Sequence, residues 1–308
     1  METNKPYPLV TVFSLIYNTG KYVIEALESI KANNYPNIDH IIIDDFSTDG
    51  CSIEIVENWI KENNYPCKFI KHSKNHGVCK TLNEILSLAE GKYIFGCSDD
   101  LILPDRIKKH VDILEQSADD VCAVYSKAYI WKDGKVYYDW LLGGDPNGVS
   151  PAGNILDNLI MKNFIPAISI TVKVSCIKEV GGYDESIPYE DYQMWLKLAE
   201  KFKFIYSDYV SGIYRISGES LSSNIHNWDL SYLKIYASLK NQKNKVLSRR
   251  YLELAYKAYW SNNSEAIKFF RKDLKNHTLS GVRFVLAVWM LPVNRKIGKG
   301  LIKAFTSV

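Results

Sequence analysis

Within its first hundred residues the chain alternates short β-branched runs with stretches of helical periodicity, and every run breaks on polar residues. Leu9–Ile16 stops at Tyr17-Asn18-Thr19-Gly20, and "HIIIDDFSTDG" breaks at Asp44-Asp45. "CKFIKHS" leads to Asn75-His76-Gly77, and "KYIFGC" ends on Ser98-Asp99-Asp100. Between these runs, "KYVIEALESIKANN" places Val23, Ile24, Leu27 and Ile30 at helical spacing. A second helix is expected over Cys51–Lys61, capped by Ser47 or Thr48, and "GVCKTLNEILSLAEG" reads as a third, closed by Gly91. Few architectures accept this repetition. It predicts a Rossmann-like α/β fold, a mostly parallel sheet with helices on both faces. Ligands of such sheets bind beyond the C-terminal strand ends, and all four polar stops fall on that edge.

The last stop carries a chemical demand. Asp99 and Asp100 follow an apolar strand, and adjacent acids at the margin of an interior repel each other unless something positive joins them. A basic side chain, a metal ion, or a helix cap near Pro104 would each answer it. Asp44-Asp45 has a bland alternative too, as a cap on the next helix. "DFSTDG" also mimics the opening of a calcium loop, but that loop's twelfth position would be Val56, which cannot ligate.

Beyond residue 120 the pattern changes. "VCAVYSKAYIWKDGKVYYDW" predicts a hairpin turning at Asp133-Gly134. Gly143–Asn154 reads as a Gly/Pro-rich flap, "YEDYQMWLKLAEKF" as a helix and "KFIYSDYVSGIYRIS" as one or two strands. From about Trp228 the chain reads as helical, so residues 1–225 are expected to form the α/β domain and 226–308 a helical extension.

Charge is unevenly distributed. Residues 271–308 hold eight Lys and Arg against Asp273, a net of +7, so the rest of a chain whose net charge is +3 carries −4. A basic tail on a slightly acidic body suits an anionic membrane surface better than a nucleic acid. Six cysteines without CxxC pairs read as reduced cytoplasmic thiols. The N-terminal apolar run is too short for a signal peptide, and no segment reaches the ~20 apolar residues of a spanning helix.

Taken in order, "SLIYNTGKYVIEALESI", "IIIDDFSTDG", "KNHGVCKTLNEIL", "GKYIFGCSDDLILPDRIKKH" and "GGYDESIPYEDYQMWLKL" resemble the family 2 glycosyltransferases of GT-A fold, over roughly residues 7 to 222. The resemblance implies an inverting transfer from a nucleotide-activated sugar, most simply a UDP-sugar. It implies that Asp45 accepts the uracil N3–H, that Ser14, Tyr17, Asn75 and Lys80 line the nucleotide pocket, and that Asp99 binds the ribose. It implies that Asp100 holds Mn²⁺ or Mg²⁺ under the diphosphate, an all-oxygen setting that suits either ion. Asp191 resembles the general base; alone, Glu190-Asp191 also reads as ordinary first-turn acids.

Two positions depart from the family pattern. Cys97 stands where many relatives have the first Asp of a D-x-D, and Ser217 where many have a metal-binding His, with His226 as a substitute. Trp195 reads as core, Trp131 and Trp140 as candidates for stacking on an acceptor sugar, and Arg215 as a diphosphate contact or a structural ion pair. A catalytically silent sugar-nucleotide-binding module is the alternative; Asp191 argues against it. A nucleotidyltransferase would need a Gly-rich loop after the first strand, which "YNTGKY" lacks.

In the tail, the apolar run Val282–Leu291 ends at Pro292, and Ile297, Leu301, Ile302 and Phe305 then recur at helical spacing among Lys and Arg. The pair suits a helix lying in a membrane interface, or alternatively helices packed on the domain or on a second subunit, which leaves a homo-oligomer open. With the resemblance, it implies a lipid-linked saccharide acceptor and a place in surface glycan assembly, of O-antigen or capsule type, at the inner face of the cytoplasmic membrane.

Overall fold

Strands that are apolar on both sides have to be covered on both sides, and the "IIID" of the second run is such a strand. The computed structural model describes residues 7–143, 150–187, 190–216, 228–239 and 244–273, with Asp139, Trp140, Leu141 and Tyr259 described by backbone alone. The chain begins β1 (Val10–Ile16), α1 (Val23–Lys31), β2 (Ile38–Asp44), α2 (Ser52–Asn63), β3 (Lys68–Lys71), α3 (Val78–Leu88), β4 (Tyr93–Gly96), β5 (Leu101–Ile102) and α4 (Arg106–Glu115). There follow β6 (Val121–Lys132), β7 (Lys135–Leu142), α5 (Leu156–Met161), β8 (Ile170–Lys173), α6 (Val174–Glu179), α7 (Glu190–Ala199) and β9 (Lys203–Arg215). Three helices close the described chain: α8 (Trp228–Ser238), α9 (Lys245–Trp260) and α10 (Ser264–Asp273).

The sheet runs β3-β2-β1-β4-β8-β6-β9-β5, with β7 pairing off β6. The first four strands are parallel, as expected. The short β8 then enters antiparallel to both β4 and β6, so the sheet is mixed past that point. β6 and β7 form the expected hairpin, with Asp133 and Gly134 at φ 52 and 82 in the left-handed conformation that such two-residue turns require. β1→α1→β2→α2→β3 steps one way along the sheet, and β3→α3→β4 returns across β1. Right-handed crossovers therefore put α3 on the opposite face from α1 and α2. The reversal makes a topological switch point between β1 and β4, where open α/β sheets take their ligands.

Helical spacing decides which face of α1 is covered: Val23, Ala26, Leu27 and Ile30 are fully buried. Ala26 and Ile30 join Val10, Val12, Tyr93 and Phe95 of the strands and Ile107, Val111 and Leu114 of α4. Val23 and Leu27 meet Ile16, Ile42, Val56 and Trp59. Each such aliphatic side chain stabilises the fold by about 1.5–3 kcal/mol. At Gly96 a Cβ would lie 2.5 Å from the Phe13 ring, so the strand that leads to the paired acids can approach β1 only without a side chain there.

The capping expected of Ser47 or Thr48 falls to Asp49, whose carboxylate accepts from the N–H groups of Cys51 and Ser52 at 3.2 and 3.0 Å. Ser47 instead bonds to Asp44. The described ends of the Gly143–Asn154 loop are fastened: Ser150 donates to the Gly143 carbonyl at 2.9 Å, and Gly153 bridges Phe204.

The chain divides into two compact units, Met1–Ile155 with Phe164–Ser220, and Leu156–Asn163 with Leu221–Val308. Within the second, α8 buries Leu233, Ile235 and Tyr236, and the Tyr236 hydroxyl donates to the Ile160 carbonyl at 2.8 Å. Asn244 bonds to Asp157, and Tyr251 packs on Phe270. No helix among the described residues is long and apolar enough to cross a membrane. Ser217, His226, the Trp140 side chain, loop residues 144–149 and the basic tail from residue 274 lie outside the described residues.

Candidate active site

The carboxyl ends of β1, β2, β3 and β4 share one edge. Register pairs Ile16 with Asp44, Asp44 with Lys71, and Phe13 with Gly96. The ladder runs one residue further: the N–H groups of Asp45, His72 and Cys97 donate to the carbonyls of Ile16, Asp44 and Phe13 at 2.8, 2.9 and 2.9 Å. Asp45, His72 and Cys97 thus leave the sheet in a row, and Ser98-Asp99-Asp100 follows at the switch point.

Asp45 is buried and held from several sides. Its Oδ1 lies 2.7 Å from His72 Nδ1 and accepts the His76 N–H at 2.8 Å, while Oδ2 accepts the Gly77 N–H at 2.9 Å. The last two donors belong to the start of α3, where unsatisfied amides and the helix dipole favour an anion. Gly77 sits at φ 85, which no other residue adopts without strain, and this turns its N–H onto Asp45. Three donors leave one of a carboxylate's four or so lone-pair sites for a ligand. Asp44 has a different task, closing its own turn through Ser47.

The Asp99-Asp100 turn is clamped by Arg215 at the end of β9. The Arg215 backbone N–H donates to Asp100 Oδ1 and its guanidinium to the Asp99 carbonyl, both at 2.7 Å. The guanidinium also pairs with Glu25 of α1 and lies over the rings of Tyr22 and Trp131. Of the two roles expected for Arg215 the structure shows the ion pair, and Trp131 packs on that arginine and on Tyr22. The Arg215 guanidinium is near enough to pull both acidic side chains of the turn down, but among the described residues neither forms an ion pair with it or with another cation. Burial raises the Asp99 carboxyl, and burial with repulsion from Asp99 raises Asp100 further. Two partly buried oxygen-donor groups short of positive charge fit a hard divalent ion such as Mn²⁺ or Mg²⁺. Cys97 does not replace the missing acid: burial pushes its thiol up to about 12, and the S–H points to the Asp100 carbonyl at 3.4 Å.

A third acidic group opens α7. Glu190 and Asp191 occupy its first turn, and the preceding segment is tied to α3 by Cys79 Sγ to the Ile187 carbonyl (3.2 Å) and by two bonds between Asn83 and the Tyr183 backbone (3.0 and 2.9 Å). Burial, then repulsion from Asp191, drives Glu190 to about 8, and burial raises Asp191. No cation among the described residues relieves either. Burial and the repulsion of Asp191 on Glu190 therefore work against the two acids being charged at once.

The other expected pocket residues are spread along this edge. Tyr17 is exposed just past β1, Asn75 donates its side-chain N–H to the Asp45 carbonyl at 3.2 Å, and Lys80 is exposed on the first turn of α3. Ser14 lies deeper: it is fully buried in β1, with its hydroxyl donating to the Cys97 carbonyl at 2.6 Å and touching His40 at 3.0 Å. Sequence reasoning passed over three participants. Asn18 caps the Thr48 and Asp49 amides through its side chain, and His72 and His76 surround Asp45. The only available signal was the spacing of the two histidines, four residues apart in the loop that faces Asp45.

The family model described as Glycosyl transferase family 2 matches residues 11–165. A curated relative in Rickettsia typhi, named uncharacterized glycosyltransferase RT0329, is 26% identical over 289 residues, which is 91% of this chain and 86% of the relative. The chain spans only 27%, 36% and 33% of the length of three further rickettsial relatives. Among solved structures, residues 1–349 of S. aureus TarS in complex with UDP-GlcNAc align with TM-score 0.59 and 17% identity, over 82% of this chain and 72% of that one. The mannosyltransferase PcManGT from Pyrobaculum calidifontis, in complex with GDP-Man and Mn2+, aligns with TM-score 0.59 and 16% identity, over 98% and 90%. At such identities the structural likeness shows a common fold.

Proposed function

We propose, from the premise that the chain belongs to glycosyl transferase family 2, that it moves a sugar from a UDP-sugar to a saccharide hydroxyl with inversion at the anomeric carbon. Use of a nucleotide-sugar donor follows from the family; the choice of UDP, the inversion and the acceptor are inferred. One observation carries the reading. The edge that holds Asp45 also holds Asp99 and Asp100, an acidic pair whose carboxyls stay raised by burial although the Arg215 guanidinium beside them pulls them down.

Asp45, oriented by His76 and Gly77, keeps an acceptor site for the uracil N3–H, and Asp99 offers an acceptor to the ribose hydroxyls. Asp100 would hold Mn²⁺ or Mg²⁺, whose charge would offset the negative charge that gathers on the departing diphosphate. Asp191 takes the proton of the acceptor hydroxyl. That oxygen forms its bond to the anomeric carbon as the carbon–oxygen bond to the diphosphate breaks, and the electron pair leaves with UDP. One displacement inverts the centre. A carboxyl that burial raises above its ordinary range suits the base role, because it holds a proton more strongly than an exposed one.

TarS, a structural neighbour bound to UDP-GlcNAc, supports the choice of UDP. The lipid-linked acceptor, peripheral attachment to an anionic membrane from the cytoplasmic side, and the division into a catalytic domain (1–225) and a helical extension (226–308) rest on sequence, above all on the net charge of +7 over residues 271–308. The test is a panel of UDP-, GDP-, ADP-, CMP- and dTDP-sugars scored by thermal stabilisation with and without Mn²⁺, since a bound ligand raises apparent stability according to its concentration over Kd. Stabilisation by UDP-sugars that grows with Mn²⁺ is expected. Stabilisation by another nucleotide alone, or no dependence on metal, overturns the reading.

A further inference from the structure

We propose that Asp45, His72 and His76 form a second cation site, for a borderline-soft divalent ion of the zinc class, separate from the Mn²⁺ or Mg²⁺ position at Asp100. One potential ligand atom from each residue lies within 4.8 Å of the others. His72 comes from the end of β3 and His76 from the loop four residues on, a His-x₃-His spacing that recurs in zinc sites. Asp45 comes from the neighbouring strand and brings the negative charge.

The site is supported behind its ligands. His76 Nδ1 is buried and has no hydrogen-bond partner among the described residues, a costly state for a polar atom unless something fills it. Its ring lies along that of His72, with centroids 4.3 Å apart and planes at 31°. On its far side, His72 Nε2 is 3.1 Å from a Glu84 carboxylate oxygen. A carboxylate behind a ligating imidazole is the usual device for fixing its tautomer and raising its basicity.

His72 Nδ1 faces Asp45 and Nε2 faces Glu84. An arriving ion takes the Nδ1 lone pair, any proton there leaving to solvent, while the Nε2–H is held by Glu84. Tetrahedral zinc holds its ligands roughly 3.3 Å apart, so an arriving ion would draw the three groups in from the 4.8 Å within which they now lie. Two imidazoles and one carboxylate favour Zn²⁺, Co²⁺ or Ni²⁺ over Mg²⁺ and Mn²⁺, which prefer oxygen alone. The positive end of α3 opposes a cation here, and the carboxylates of Asp45 and Glu84 outweigh it.

A consequence rests on the reading of Asp45 as the acceptor for the donor's base. The ion would sit on the same carboxylate that accepts from the base, and its positive charge there opposes the N3–H donor, so the two compete and zinc inhibits competitively against the nucleotide sugar.

The experiment titrates the full-length protein with Co²⁺ and follows the visible band of four-coordinate cobalt. A Cys51→Ser background removes the exposed thiol as a competitor. One Co²⁺ per chain is expected, displaced by Zn²⁺ and unaffected by Mg²⁺, with binding at least about tenfold weaker in His76→Asn and in His72→Gln. Circular dichroism checks that each variant is folded; should His72→Gln disturb Asp45 and lose structure, His76→Asn decides alone. Co²⁺ binding that is absent, or equally strong in the folded histidine variants, overturns the site. Release of Co²⁺ by UDP supports the site and its placement over the base pocket. Histidine-dependent Co²⁺ that saturating UDP fails to displace upholds the cation site and removes the base from Asp45.

Discussion

Replacing Asp45 by Asn probes the most heavily constrained carboxylate of the site. Asp45 accepts from His72, His76 and Gly77 at 2.7, 2.8 and 2.9 Å, with different oxygens facing the two backbone donors. An amide presents one oxygen and one NH₂, so whichever way the substituted side chain turns, an N–H meets an N–H. One buried backbone donor then loses its acceptor, at a cost of about 1–3 kcal/mol. Removal of a full charge from the start of α3 adds about 0.3–1 kcal/mol. A loss of about 1.5–4 kcal/mol in unfolding free energy is therefore expected, read by urea denaturation followed in far-UV circular dichroism. UDP affinity, measured by calorimetry on the folded variant, should fall by about tenfold or more, as expected for a lost charge-assisted bond. A variant that keeps both its urea midpoint and its UDP affinity would refute the bond network and the base assignment together. If stability falls while UDP affinity is untouched, Asp45 is only the acceptor that starts α3.

Asp100→Asn keeps the side-chain shape and the acceptor for the Arg215 N–H, so the fold should stand while Mn²⁺-dependent UDP binding and turnover are lost; full activity in that variant, or in excess EDTA, contradicts the metal role. Glu190→Gln should leave the acidic limb of the pH–rate profile in place, because Glu190, raised to about 8, is still protonated where Asp191 ionises; a limb that moves to lower pH would show Glu190 already charged in that range. The same acid sets a stability trend. Glu190, raised from 4.5 to about 8, contributes stability that is fully present below its ordinary range and lost as pH climbs through about 8, and Glu190→Gln should flatten that fall in thermal melts between those values. Truncation after Lys275 should leave donor hydrolysis intact and abolish sedimentation with anionic vesicles at low salt; a full-length protein that ignores such vesicles contradicts membrane attachment.

The strands and helices that were legible in advance are those with room for a pattern. β1 and β2 are seven residues each and α1 shows its buried stripe, while Asp133-Gly134 announces its turn by the backbone conformation it needs. β5 has two residues and β8 four, too few to display periodicity, and both exist because longer neighbours, β9 and β6, supply their hydrogen bonds. Arg106 illustrates the limit for single residues. It reads as a surface charge, yet it is fully buried, donating to the Ile168 and Ile170 carbonyls and lying 3.7 Å from the Phe95 ring centroid. Most of the candidate site was visible as polar stops on one edge, since strand ends that break on acids have few other uses. His76 stood in one of those stops and His72 just before it, but their place around Asp45 was not legible, because it depends on Asp45 lying one strand away. Arg215 could be named, but which oxygen it would hold was settled only by the pairing of β9 with β5.

The most direct measurement takes water as the acceptor. A folded sample is given a UDP-sugar of known α configuration with Mn²⁺, and the anomer released is read by NMR before mutarotation. Single displacement with Asp191 as base predicts that the β-anomer appears first, and that Asp191→Asn releases it about 10²–10⁴-fold more slowly with UDP affinity nearly unchanged. Initial release of the α-anomer, or equal rates in the variant, would contradict it.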